Sequence, residues 1–173
     1  MNTTEFLSLT SLIVPDRVAT IFEGRRVSYA QLQERVNRLA NGMHDLGVGP
    51  GDRVSNIQVN CQEHIEAYFA TAKLDAIYVP LNFRVKADEL KYMLKDAEPK
   101  VLFAGARYSD LVNSVSQDVP ALKSIVSLDD PVNGWISYED LLSSASEDER
   151  FPEADEDDTT IIMFTAGTTG FPK

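Results

Sequence analysis

Apolar residues recur along this chain in two patterns, one typical of strands and one typical of helices. Residues 18–22 and 26–28 are short β-like runs separated by Glu23 and Gly24, which predicts a small β-hairpin. The next segment opens with Ser28 and Gln31 in the spacing of a helix-capping box and closes at Gly47. Its apolar residues recur at helical spacing, and they are Leu32, Val36, Leu39, Met43 and Leu46. A long helix that ends at Gly47 is therefore predicted.

Strand-like and helix-like segments alternate over the rest of the chain. The predicted strands are residues 53–59, 76–81, 100–105, 124–128 and 159–165. The predicted helices are residues 63–74, which Asn60 is placed to cap, and then 87–97, 108–115 and 138–145. Strands that alternate with helices imply right-handed crossovers and parallel pairing. The predicted fold class is α/β, with a mostly parallel sheet flanked by helices.

Composition narrows the class of protein. With 173 residues, 43% of them hydrophobic and 25% charged, the chain has the size and composition of one globular domain. It contains no apolar stretch near the roughly 20 residues of a membrane helix, and its first residues do not form a secretory signal. Cys61 is the single cysteine, so no internal disulfide can form. We expect a cytoplasmic protein without a membrane span.

Negative charge limits the ligands that the chain can hold. A formal net charge of -11 repels nucleic acid and anionic lipid, so we expect neither as a partner. Residues 147–158 concentrate many of the carboxylates, and we interpret them as a solvated linker in preference to an acidic docking segment or metal site. The predicted division is an α/β subdomain over 1–146, the acidic linker over 147–158, and a strand with a ligand loop over 159–173.

The string TAGTTGFPK, residues 165–173, carries the chemistry of a polyphosphate site. It directly follows a predicted strand, and open α/β sheets bind ligands beyond the carboxyl ends of their strands. Glycines permit close approach of a ligand to the backbone, threonine hydroxyls donate, and lysine supplies positive charge. These residues are Thr165, Gly167, Thr168, Thr169, Gly170 and Lys173. The loop is not a Walker A motif, because Phe171 and Pro172 separate the second glycine from the lysine. The alternative is a polar surface turn.

The longer string MFTAGTTGFPK resembles the phosphate-binding signature of the AMP-forming adenylating enzymes, usually written Y-T-S-G-T-T-G-x-P-K-G. Phe164 replaces the usual tyrosine and Ala166 the common serine. Residues 27–54, 66–82 and 159–165 also resemble the family in content and order, although Asp75 stands where glycine is most common. The string LNFR resembles acyl-CoA synthetases more than the adenylation domains of peptide synthetases. The resemblance spans residues 17–173.

This resemblance implies a fold, a reaction and a set of contacts. The fold would be part of the large N-terminal domain of the adenylating enzymes. The reaction would activate a carboxylic acid, with a fatty acid favoured, by ATP to an acyl-adenylate and pyrophosphate. The acyl group would then pass to coenzyme A, and Mg²⁺ would be a cofactor. The loop residues named above would contact the β- and γ-phosphates, and Ala166 would contribute its backbone. No catalytic residue and no metal ligand is assigned within these residues.

The remaining parts of such an enzyme would lie downstream, including its C-terminal domain. We therefore expect an N-terminal fragment, inactive alone, whose partner is the remainder of its own chain. A trypsin-like cut in an exposed loop and a designed end both agree with a terminus at Lys173. Such a fragment is expected to dimerise or aggregate through an uncovered apolar face. The alternatives are a ligase that transfers the acyl group to a carrier protein, and a stand-alone nucleotide-binding or interaction module.

Other side chains offer weaker candidates. Cys61 near a helix start suggests a nucleophile, but an inert, buried thiol is favoured because no histidine is placed beside it. His44 and His64 lie on separate predicted helices without metal-ligand spacing. An acyl pocket is one interpretation of four aromatic residues, and core packing is the favoured one. These aromatic residues are Tyr68, Phe69, Tyr78 and Phe83.

Overall fold

Parallel strand pairing dominates the structure, a computed structural model that describes residues 3–153 and 157–165. A small antiparallel hairpin comes first, with strands β1 (Val18–Phe22) and β2 (Arg25–Ser28). The main sheet contains β3 (Arg53–Ile57), β4 (Ile77–Pro80), β5 (Pro99–Ala104), β6 (Ser124–Ser127) and β7 (Ile136–Ser137). Its spatial order is β4-β3-β5-β6-β7, and each neighbouring pair is parallel. The predicted fold class is confirmed.

Six helices connect and cover these strands in the described part of the chain. They are α1 (Thr3–Ile13), α2 (Tyr29–Asp45), α3 (Glu63–Ala72), α4 (Ala87–Ala97), α5 (Ser109–Ser116) and α6 (Tyr138–Ser144). A 3₁₀ turn, Ala106–Tyr108, precedes α5. No helix among the described residues combines the length and apolarity that crossing a membrane requires.

Helix α2 forms where the sequence predicts it. Ser28 Oγ accepts a hydrogen bond from the backbone N–H of Gln31 at 3.3 Å, and Gln31 Oε1 accepts one from the N–H of Ser28 at 2.9 Å. These two bonds complete the capping box and satisfy donors that the first helical turn leaves open. Gly47 follows the helix with a φ of 88°, a left-handed conformation that glycine adopts without steric cost.

The elements differ from the predictions at four places. Helix α1 and strand β7 were not predicted. Ser and Thr interrupt the apolar residues of α1, which weakens the helical pattern there. Asn60 does not cap α3, because the helix begins at Glu63 and Gln62 is the preceding cap residue. The predicted strand at 159–165 is reduced to one parallel bridge between Ile161 and Tyr78 of β4.

Each face of the sheet carries its own apolar core. Along β5, Val101 and Phe103 belong to the core under α2, α3 and α6, whereas Leu102 and Ala104 belong to the core under α4 and α5. A strand buried on both faces reads as a continuous apolar run, as parallel strands between two layers of helices do. The resulting body has three layers, with the sheet in the middle.

A buried carboxylate joins three of the helices. The side chain of Glu66 on α3 has no exposed surface, and its Oε1 lies 2.8 Å from Arg35 Nε on α2. The same oxygen accepts a hydrogen bond from Gln62 Nε2 at 2.8 Å, and Oε2 accepts one from the hydroxyl of Tyr138 on α6 at 2.7 Å. Burial and the Glu66 charge raise the pKa of Tyr138 well above its usual value, so the hydroxyl keeps its proton and donates.

We expect Tyr138→Phe to lower the free energy of unfolding by about 1–3 kcal/mol, because a buried carboxylate oxygen loses its donor. Urea denaturation at pH 7 measures the change. Tyr108→Phe is the matched control, since Tyr108 is also buried but lies outside this network. An equal loss of stability in both variants would contradict the role assigned to the Tyr138 hydroxyl.

Candidate functional site

The last described residues, 157–165, run beside β4 of the main sheet. The N–H of Tyr78 donates to Thr160 O at 3.0 Å, and the N–H of Ile162 donates to Tyr78 O at 2.9 Å. The bridge is parallel, so residues 160–162 run in the same direction as β4. Side chains then alternate, with Ile162 and Phe164 packed on the core and Met163 exposed. The segment therefore delivers Thr165 to the edge at which open α/β sheets bind ligands.

Most of the predicted loop lies outside the described residues. Thr165 is described and exposed. The other predicted contacts, which lie outside the described residues, are Ala166, Gly167, Thr168, Thr169, Gly170 and Lys173. Within residues 3–153 and 157–165, no group of His, Cys, Asp and Glu side chains could hold a metal ion. The assignment of this loop to phosphate stays a prediction.

A histidine and a tyrosine brace the strand beside this segment. His64 Nε2 lies 3.2 Å from the carbonyl oxygen of Gln58, and Nδ1 lies 2.8 Å from the hydroxyl of Tyr78. A carbonyl oxygen can only accept, so Nε2 carries a proton and donates to Gln58. Burial raises the pKa of the Tyr78 hydroxyl above its usual value, which keeps it a donor. This pair fixes the residue against which residues 160–162 dock.

Neighbouring strand ends are tied together at the same edge. Gln58, just after β3, donates through Nε2 to Asp129 Oδ2 at 2.9 Å, and Asp129 Oδ1 accepts from the N–H of Ala106 at 2.6 Å. Gly105 follows β5, and a Cβ there would lie 2.1 Å from Gln58 Nε2. A side chain at this position would displace the Gln58 amide from Asp129. The ends of β3, β5 and β6 are therefore held in one arrangement, although no sequence spacing reveals that these residues meet.

The acidic segment contacts the body of the protein over its first residues, most of which are also exposed, and the solvated linker over 147–158 stays a prediction. We call residues 145–153 the strap. Glu149 lies 2.8 Å from Lys73 Nζ at the end of α3, and Glu147 lies 2.7 Å from Arg38 on α2. The domain boundary at residue 146 stays a prediction.

The turn between α3 and β4 has an unusual backbone. Asp75 has a φ of 53°, a left-handed conformation that Asp adopts more readily than most residues but less readily than Gly. Its backbone oxygen accepts from the N–H of Gly51 at 2.8 Å, and its Oδ2 accepts from the N–H of Glu153 at 2.8 Å. Aspartate therefore meets the backbone requirement here and adds a side-chain contact to the strap.

The weaker candidates take structural positions. Burial, and then the neighbouring Glu63 carboxylate, raises the pKa of the half-buried Cys61 thiol to about 12, which opposes a nucleophilic role. His44 and His64 lie on separate helices, α2 and α3. Three of the four acyl-pocket candidates pack against one another, because Tyr68 makes edge-on ring contacts with Phe69 and Tyr78. The fourth candidate, Phe83, is exposed.

Comparison with known proteins gives the family and the extent of similarity. The family described as AMP-binding enzyme matches residues 13–173. The chain is 39% identical over 167 residues to a 3-oxocholest-4-en-26-oate–CoA ligase of Rhodococcus rhodochrous, covering 93% of this chain and 30% of that protein. It is 34% identical over 174 residues to an indoleacetate–CoA ligase of Aromatoleum aromaticum, covering 100% of this chain and 34% of that protein.

Solved structures of CoA ligases share the fold. An anthranilate CoA ligase in complex with anthranoyl-AMP has a TM-score of 0.95 at 25% identity, covering 99% of this chain and 33% of that chain. A fatty acyl CoA synthetase of Mycobacterium tuberculosis has a TM-score of 0.88 at 28% identity, with coverage of 99% and 33%. The chain therefore spans a minor part of the length of the relatives that it matches.

We expect Asp75→Gly to be more stable than Asp75→Ala by about 1 kcal/mol, because alanine meets a steric cost at positive φ that glycine avoids. Both variants lack the carboxylate, so the difference between them isolates the backbone. Urea denaturation of the two proteins measures it. Equal midpoints and slopes would show that the turn relaxes to another conformation in the alanine variant.

We expect alkylation of Cys61 by iodoacetamide at pH 8 to be at least tenfold slower in the folded protein than in urea, because with a pKa near 12 only ~1 thiol in 10⁴ is ionised. Intact mass against time measures both rates. A model thiol peptide in the same urea solution controls for the effect of urea on the reagent. Equal rates for Cys61 in both states would contradict the raised pKa.

Proposed function

The chain belongs to the AMP-binding enzyme family, and from that premise we propose that it supplies the N-terminal part of an AMP-forming acyl-CoA synthetase. The observation that carries the proposal is the parallel bridge between Ile161 and Tyr78. The bridge supports the proposal because residues 160–162 run in the direction of β4, toward the edge at which open α/β sheets bind ligands. The sequence that follows, TAGTTGFPK, contains the glycines, threonine hydroxyls and lysine that a polyphosphate would need. The names of the relatives, which are acid–CoA ligases, support the same reaction class.

The proposed reaction has two steps. A carboxylate oxygen of the acid attacks the α-phosphorus of ATP, the bond between the α-phosphorus and the bridging oxygen breaks, and pyrophosphate leaves with that electron pair. The sulfur of coenzyme A then attacks the acyl carbon, the thiol proton is released, and AMP leaves. Negative charge grows on pyrophosphate in the first step, so donors fixed against it lower the barrier.

The proposed contacts to that charge come from the loop. Thr165, Gly167, Thr168, Thr169, Gly170 and Lys173 hold the β- and γ-phosphates, and Ala166 contributes its backbone. Mg²⁺, when bound with ATP, would neutralise part of the phosphate charge. The threonine hydroxyls of the loop offer oxygen atoms of the kind that Mg²⁺ takes as ligands. The protein carries a formal net charge of -11, so these contacts are local.

The proposed substrate is a carboxylic acid with a large apolar body, with a fatty acid favoured. The support is the LNFR string at residues 81–84 and the names of the relatives, which act on a 3-oxocholest-4-en-26-oate and on indoleacetate. We propose a cytoplasmic enzyme, in keeping with its single cysteine. We also propose that the isolated chain self-associates, because α1 exposes Phe6, Leu9, Leu12 and Ile13.

The test is an assay of the whole protein with ATP, Mg²⁺, coenzyme A and a series of carboxylic acids, with pyrophosphate and acyl-CoA measured separately. We expect acid-dependent release of both products. Lys173→Ala should lower kcat/KM for ATP by about 100-fold, because a charge aimed at the leaving pyrophosphate is lost. Lys95→Ala is the matched control, since Lys95 is an exposed lysine of α4.

Three outcomes separate the alternatives. Pyrophosphate release without acyl-CoA would move the acceptor from coenzyme A to a carrier protein. No release with any acid would favour a binding module. Activity that Lys173→Ala leaves unchanged, with the ligase reaction intact, would remove Lys173 from the site.

A further inference from the structure

The strap, residues 145–153, is fastened to two helices by side chains that the proposed reaction does not use. We propose that Lys73 and Asn41 are positioning residues for the ligand loop: they hold the strap against α2 and α3, and the strap in turn keeps residues 160–162 docked beside β4. The consequence for ATP rests on the proposed function. The docking itself does not, and it can be measured without a ligand.

Lys73 provides the first fastening. Its side chain is 1% exposed, and its Nζ lies 2.8 Å from Glu149 Oε1. The same carboxylate oxygen accepts from Ser8 Oγ of α1 at 2.6 Å and from Gln33 Nε2 of α2 at 2.8 Å. Burial opposes ionisation of Glu149, but these hydrogen bonds outweigh it, and the pKa of Glu149 is lowered. A buried ammonium without a partner is strongly unfavourable, so Lys73 holds Glu149 firmly in place.

Asn41 provides the second fastening through its side-chain amide. Its Nδ2 donates to the carbonyl oxygens of Ser146 at 2.8 Å and Asp148 at 2.9 Å, and its Oδ1 accepts from Arg150 Nε at 2.6 Å. Arg38, one turn earlier on α2, donates to the carbonyl oxygen of Ala145 at 2.9 Å. Bonds to three strap carbonyls define a path for the backbone, which a solvated linker would not have.

The far end of the strap lies at the entry to β4. The N–H of Glu153 donates to Asp75 Oδ2, and Asp75 lies in the turn that leads to β4. Tyr78 of that strand is the residue that bridges to residues 160–162. The strap therefore carries the chain from α6, across α2 and α3, to the place where the loop-bearing segment docks.

Loop-closure entropy gives the size of the effect. Glu153, which makes the last strap contact, lies seven positions before Thr160 in the sequence, and Ala145 lies fifteen positions before it, so release of the strap about doubles the length of chain that leads to the bridge. Each doubling lowers the probability of closure about threefold. We therefore expect release of the strap to raise the open population of the bridge at Tyr78 at least threefold.

The test is hydrogen exchange of the amides of Tyr78 and Ile162, which form the bridge, with the amides of Leu102 and Phe103 in β5 as an internal reference. One variant combines Lys73→Met with Glu149→Gln, so that neither charge is left unpaired. A second variant, Asn41→Ala, releases the strap independently. The control combines Lys91→Met with Asp118→Asn and removes a surface ion pair of the same charge types at 2.6 Å.

We expect exchange at Tyr78 and Ile162 to rise at least threefold in both strap variants, with exchange at Leu102 and Phe103 unchanged and no effect in the control. Unchanged exchange at the bridge would overturn the proposal. So would an equal rise in β5, which would show a general loss of stability, or the same rise in the control. If the double variant does not fold, Asn41→Ala decides.

The second arm uses the whole protein. Strap variants should raise KM for ATP at least threefold with kcat at saturating ATP unchanged. The reason is that residues 160–162 would be docked beside β4 less often, while the site formed in the docked state would be unchanged. A fall in kcat with KM unchanged would overturn the link to ATP. Inactivity of the unmodified whole protein would count against the proposed function alone, since the exchange arm needs no ligand.

Discussion

The buried carboxylate of Glu66 is the constraint on which the arrangement of helices depends. An ion without exposed surface needs a charged partner and donors for its remaining lone pairs, and Arg35, Gln62 and Tyr138 supply them. Because these residues come from α2, α3 and α6, the network fixes three helices on one face of the sheet. The strap then contacts two of these elements, through Asn41 of α2 and Lys73 at the end of α3.

The direction of the strands determines where chemistry can occur. All neighbouring strands of the main sheet are parallel, so their carboxyl ends lie at the same edge. His64 contacts both the carbonyl oxygen of Gln58, just after β3, and the hydroxyl of Tyr78, the residue of β4 that bridges to Ile161. A polyphosphate loop needs donors held at fixed positions, so a fixed attachment of the preceding segment favours the function that we propose.

Local signals in the sequence predict the fold well, and contacts between distant residues do not follow from them. The capping box of Ser28 and Gln31 fixes the start of α2, and the alternation of elements fixes the parallel sheet, both of which are confirmed. The family resemblance, drawn from the loop and its preceding strand, is confirmed by the match over residues 13–173. Helix α1 depends on packing against α2 and α3, and strand β7 has only two residues, so neither has a strong local signal.

The strap shows why charge alone misleads. Its carboxylates read as solvated because their partners lie far away in sequence, with Glu149 paired to Lys73 across 76 residues. These ion pairs also reduce the unpaired negative charge that the proposed ligand, ATP, would meet. A segment of carboxylates just before a phosphate loop would repel ATP, but Glu147 and Glu149 are neutralised by Arg38 and Lys73. Fields of the remaining surface charges fall off over a Debye length of about 8 Å at physiological salt. The paired carboxylates of the strap therefore add little to the field at longer range, and the phosphate contacts that we propose for the loop depend on local donors.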